Sequence, residues 1–136
     1  MKIAIITSRY PSLGKPYNHM FVHMRSKEYI RQGEIADVFV PSNEINEYIF
    51  EGVLVREMPS KNIVRCLNEY DVLYLHLLHL YPLIKNDGWP IYKAIIKNKY
   101  KFAIYIHGAE AMYFKDRFFG TKFHLRDVLS WIRKDF

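Results

Sequence analysis

The residues best equipped for chemistry stand where apolar runs stop. Ile104-Tyr105-Ile106 ends in His107, Gly108, Ala109 and Glu110, and Val72-Leu73-Tyr74-Leu75 ends in His76, with His79 three residues on. An imidazole changes charge near neutral pH, so His107 can donate to a ligand hydroxyl or phosphate, or act as an acid or base. Gly108 permits a sharp turn and close backbone approach, and Glu110 can accept hydrogen bonds from sugar hydroxyls. A third polar stretch, Ser8 to Tyr17, follows the first apolar run and contains Tyr10, Pro11, Ser12, Gly14 and Pro16. Each histidine also has a plainer reading, since one at the end of a buried strand can simply satisfy a neighbouring carbonyl. His19 and His23 stand four apart, a spacing that can hold a metal on one helix face, but no further histidine or acid stands beside them to complete a ligand set.

Several other chemistries lack their motifs. Only Gly14 stands in the first polar stretch, where a dinucleotide fold carries G-x-G-x-x-G, and no Walker lysine motif occurs. Neither Ser8 nor Ser12 sits in a G-x-S-x-G elbow. No RNP or KH motif accompanies the basic and aromatic residues, so nucleic acid is not the expected partner.

The elements that must position these groups follow from periodicity. Ile3 to Ile6 reads as a strand buried on both faces, hence a central one. Phe21, Met24, Tyr29 and Ile30 recur at helical spacing after the long loop, with Asn18 as the expected cap and Gly33 as the left-handed stop. Ala36–Val40 reads as a second strand closed by Pro41. Tyr48 to Phe50, Glu51-Gly52, and Val53 to Glu57 read as a short hairpin, expected at a sheet edge. A helix from Ser60 to about Glu69 contains Cys66, the strand 72–76 follows, and Pro90 opens a further helix before a last strand, Phe102–Ile106. Buried strands alternating with helices predict an α/β domain: a Rossmann-like three-layer α/β/α arrangement with a mostly parallel sheet and a small hairpin. In such sheets ligands sit outside the carboxyl ends of the strands, which is where all three polar stretches fall.

At 136 residues the chain is the size of one domain, and 20 Lys and Arg against 14 Asp and Glu leave a formal charge of +6. A basic surface fits an anionic partner such as a nucleotide, a phosphorylated lipid or an anionic membrane. The single cysteine, Cys66, points to a reducing, cytoplasmic compartment. The amino terminus turns polar too soon for a signal peptide, and no run reaches the roughly 18 apolar residues of a spanning helix. From 117 to 134 the chain is amphipathic, mixing Phe118, Phe123, Leu129 and Trp131 with Arg117, Lys122, Arg126 and Arg133. That pattern suits either a helix docked on the sheet or one lying in a membrane interface.

Taken in order, Lys2-Ile3-Ala4-Ile5-Ile6-Thr7 with Tyr10-Pro11 and Gly14, Ile30-Arg31-Gln32-Gly33 before Asp37-Val38-Phe39-Val40, the hairpin around Gly52-Val53, Asp71 to His76, and Ile106-His107-Gly108 resemble the N-terminal domain of GT-B-fold retaining glycosyltransferases of family four. The resemblance spans nearly the whole chain as an ordered pattern. It implies the acceptor-side half of a two-domain enzyme, completed by a C-terminal domain that binds the nucleotide sugar. It also implies a sugar or lipid-linked acceptor, with His107 at the transferred sugar, Gly14 in the loop near the donor phosphates, and Tyr10, His76, Gly108 and Glu110 around the substrates. Neither a metal nor a cofactor is implied, the nucleotide sugar being the donor substrate. The helix after the histidine meets the membrane in several members, which implies peripheral contact through 117–134 at the inner face. Ser12-Leu13-Gly14-Lys15-Pro16 departs from the family's paired glycines, and the paired-glutamate motif of the second domain is not present, so the chain is expected to be inactive alone. The competing expectation is a non-catalytic Rossmann-like module that binds an anionic membrane or a partner protein.

Overall fold

The computed structural model describes residues 1–76, Leu78 and 87–105. β1 (Lys2–Thr7) leads through a long loop to α1 (Met20–Arg31), then β2 (Ile35–Pro41), β3 (Asn46–Phe50) and β4 (Val53–Met58). After them come α2 (Ser60–Cys66), a 3₁₀ turn at Leu67–Glu69, β5 (Val72–His76), α3 (Trp89–Asn98) and β6 (Phe102–Tyr105). One six-stranded sheet runs in the order β3-β4-β2-β1-β5-β6, with every neighbouring pair parallel except β3 and β4.

β1 is central because its side chains are apolar on both faces. Ile3 and Ile5 join a cluster with Val22 of α1, Val38, Val53 and Val55, whereas Ala4 and Ile6 join another with Phe39, Ile63, Leu73, Leu75, Ile91 and Ile95. α1 thus contributes to one cluster, and α2 and α3 to the other. Each fully buried aliphatic side chain contributes about 1.5–3 kcal/mol from area removed from water, so the alternation along β1 fixes its register against both neighbours.

The punctuation residues act locally. Gly33 lies at φ +87° just past α1, as a left-handed helix stop requires, and Glu51 and Gly52 at φ 44° and +84° form the two-residue hairpin turn. Pro90 sits in the first turn of α3, where its missing N–H costs nothing. The start of α1 differs from expectation. Its N-cap is His19, at φ 47° and without a side-chain cap, while the Asn18 amide is drawn into a preceding turn on the Lys15 carbonyl, 3.3 Å. Pro59 occupies the cap position of α2, and the first helical residue is Ser60.

Candidate functional site

In the parallel sheet β1 is where the strand order reverses, with β2 on one side and β5 on the other, which makes it the switch point. The register places Thr7 beside His76 and His76 beside Tyr105, so three polar side chains form a row along the carboxyl edge. Thr7 and His76 are fully buried. The imidazole of His76 stacks on the Tyr105 ring, 4.5 Å between centroids and 5° from parallel.

Tyr105 is the centre of a larger cluster. Its hydroxyl lies 2.8 Å from that of Tyr29, the Tyr74 ring meets it edge-on at 5.7 Å, and the Arg25 guanidinium stands 4.3 Å from its centroid. Arg25 and Tyr29 are four apart and share one face of α1. Burial raises the Tyr29 phenol well above its ordinary value, and the Tyr105 hydroxyl adds to the shift. Tyr29 is therefore a hydrogen-bonding phenol at neutral pH, not a phenolate.

On the β1 side, the Thr7 hydroxyl donates to the Arg9 carbonyl at 3.1 Å and lies 3.3 Å from Nδ1 of His19. A threonine has one proton to give, so His19 must donate to it through an Nδ1–H. Beside them the Ser8 Oγ is buried with no hydrogen-bond partner among the described residues. A buried hydroxyl left open at a strand end is the kind of group that a ligand acceptor satisfies.

The other residues singled out from sequence separate. Tyr10 is 4 % exposed, and its hydroxyl meets Nδ1 of the fully buried His23 at 2.8 Å. It is a core piece at the root of the loop. Nε2 of His23 faces Glu51 at 3.2 Å, and Glu51 also receives Lys27 at 2.9 Å. The two histidines at i and i+4 thus serve different networks, and no group of three candidate metal ligands occurs among the described residues. Gly14 lines a cleft of about 320 Å³ with Ser12, Leu13, Asn46, Tyr48 and Glu57. A Cβ built on Gly14 meets nothing within 4 Å, so the described fold itself does not demand glycine there. Tyr48 ties this loop to the hairpin by donating to the Pro11 carbonyl at 3.0 Å, and burial pushes its phenol up to about 12.

His107, Gly108, Glu110, His79 and the amphipathic stretch 117–134 lie outside the described residues. Thr7, His19, Arg25 and Tyr105 were not singled out as ligand-facing from sequence. For Tyr105 no local signal was available, since its place beside a strand-ending histidine follows only from the pairing of β5 with β6. No protein-family model, curated protein or solved structure matches this chain.

Proposed function

We propose that this chain is the N-terminal, acceptor-side domain of a GT-B-fold retaining glycosyltransferase, working at the cytoplasmic side in glycan or cell-surface polysaccharide synthesis. The observation that carries the reading is the switch point between β1 and β5, where Thr7, His76 and Tyr105 stand in register at the carboxyl edge. The parallel order β4-β2-β1-β5-β6 is that of a Rossmann-type sheet. A three-layer arrangement is the form we give it, supported by the two apolar clusters that alternate residues of β1 join. His107 follows Tyr105, the last residue of β6, by two positions in the sequence.

In this reading the buried Ser8 hydroxyl beside the row supplies a fixed donor that needs no reorganisation when charge develops on a leaving diphosphate, and such preorganised dipoles account for much of an enzyme's barrier lowering. His107 would contact the transferred sugar, while Gly14, Tyr10, His76, Gly108 and Glu110 shape the acceptor side. The nucleotide sugar would be held by a C-terminal domain, and only the two together bring donor and acceptor within reaction distance. No helix among the described residues is long and apolar enough to cross a membrane. A peripheral position, with 117–134 at the inner face of the membrane, is part of the proposal.

The test is a product assay on the complete gene product, following nucleoside diphosphate release from UDP- and GDP-sugars with a membrane lipid extract as acceptor. Sugar transfer that His107→Ala lowers by about 10²-fold or more, the scale of losing one transition-state contact, supports the reading. An open reading frame with no second β/α domain, in the gene or beside it, overturns it.

A further inference from the structure

β3 ends the sheet, and its outer edge pairs with no strand among the described residues. The register tells which backbone groups that edge offers. A two-residue turn at Glu51–Gly52 makes Phe50 and Val53 a hydrogen-bonded pair, and such pairs alternate along antiparallel strands. Phe50, Tyr48 and Asn46 therefore bond to β4, while Glu47 and Ile49 turn their N–H and C=O groups outward. The side chains of Glu47 and Ile49 share one face, and Ile49 is 72 % exposed. Tyr48, Asn46 and Glu57 look to the other face; with Phe50 and, at the strand edge, Ile49, they line the cleft closed on its far side by the Ser12–Gly14 turn. Leu13, at the rim, is 97 % exposed.

Charge decides what fits. Between residues 43 and 58 stand Glu44, Glu47, Glu51 and Glu57 against Arg56 alone, in a chain whose formal charge is +6. Lys27 engages Glu51, and Arg56 is shared between Glu47 and Asp37. Glu44 and Glu57 have no cationic partner among the described residues. Self-pairing of β3 about Tyr48 would satisfy the same backbone groups but set one acidic edge against another, which like-charge neighbours disfavour.

We propose that β3 accepts an extended segment of a partner protein as an added strand. A lysine or arginine stands opposite Glu47, an apolar residue stands opposite Ile49, and the residue between them sends a basic side chain into the cleft toward Glu57. Main-chain hydrogen bonds supply the affinity and the cleft supplies selectivity, as in other strand-addition sites. The open edge is also a hazard for aggregation, and the acidic side chains restrict it to basic partners.

The experiment is a titration of the full chain with acetyl-Thr-Val-Lys-Lys-Thr-amide, which adds antiparallel to β3 with its valine opposite Ile49 and its second lysine opposite Glu47, followed by backbone amide shifts. The Glu47 and Ile49 amides shift, binding weakens as salt rises, and the peptide with both lysines replaced by glutamate does not bind. Ile49→Pro removes an outward N–H that β4 does not use, so affinity falls about tenfold, the worth of one main-chain hydrogen bond, with the thermal midpoint unchanged. Methylating the peptide's own valine amide gives the same loss on unaltered protein, which covers the case in which Ile49→Pro folds poorly. Equal binding of the acidic peptide, or shifts confined to residues away from β3, overturns the proposal. So does a dimer in sedimentation without peptide that Ile49→Pro disperses, because a second copy would then be the occupant.

Discussion

His23 sits between two polar partners, Tyr10 and Glu51. Lys27 first, and His23 next, hold the Glu51 carboxyl below its ordinary value, so Glu51 is ionised and only accepts. Nε2 of His23 then donates to Glu51, and in the neutral imidazole this tautomer leaves Nδ1 to accept from the Tyr10 hydroxyl. Tyr10→Phe keeps the ring but strands a buried ring nitrogen, and we expect a loss of about 1–3 kcal/mol in denaturant unfolding. Glu28 makes the clearest titration prediction. Its carboxyl is held at about 2, against an ordinary 4.5, by hydrogen bonds first from Arg31 and then from Gln32. A lowered carboxylate value means that the stabilisation is complete above the ordinary value and disappears as pH falls from there through about 2. The pair is exposed, so its effect on stability is slight and salt-sensitive. The midpoint itself is the better readout: by NMR, Arg31→Ala should move the Glu28 titration back up toward 4.5.

At the scale of elements, turn chemistry was readable where a single residue carries it and hidden where a network does. Gly33 and Gly52 were assigned their turns from sequence, and both lie at positive φ. The cap expected at Asn18 falls instead at His19, because the 12–15 turn and the Thr7–His19 contact fix the entry to α1 and push the first helical residue to Met20. No local pattern encodes a contact between residues twelve apart. Gly14 separates two uses of glycine that look alike in sequence. At Gly52 an alanine would be forced into left-handed backbone, costing about 1–2 kcal/mol. Gly14 has no positive φ and open space around a built Cβ. Paired thermal melts should therefore show Gly52→Ala lowered and Gly14→Ala within about 0.5 kcal/mol of the parent, the usual range for an unencumbered surface site. A glycine that the fold does not need but a ligand does would reveal itself in binding or activity alone.

For the molecule as a whole, the hydrophobic pattern carried the strand and helix alternation, the central place of β1 and the edge position of the hairpin. Pairing order was less accessible, because strand neighbours are chosen by long-range burial: that β5 rather than β4 lies beside β1 follows from no residue in either strand taken alone. The row Thr7–His76–Tyr105 depends on that pairing, which is why Tyr105 was missed although His76 was found. The same architecture makes a prediction about coupling. Ile5 and Ile6 are adjacent in sequence and fully buried, yet they belong to clusters on opposite sides of the sheet, whereas Ile6 and Leu75 are register partners within one cluster. Ile5→Val and Ile6→Val should each cost about 0.5–1.5 kcal/mol. Together they should add to within about 0.5 kcal/mol, as substitutions without shared partners do. Ile6→Val combined with Leu75→Val should depart from additivity by more than that, since the second cavity opens into the first. Denaturant unfolding of the three single and two double variants measures both cycles. Strong coupling between Ile5 and Ile6 would mean that the sheet transmits packing strain from one face to the other, and that the two clusters melt as one.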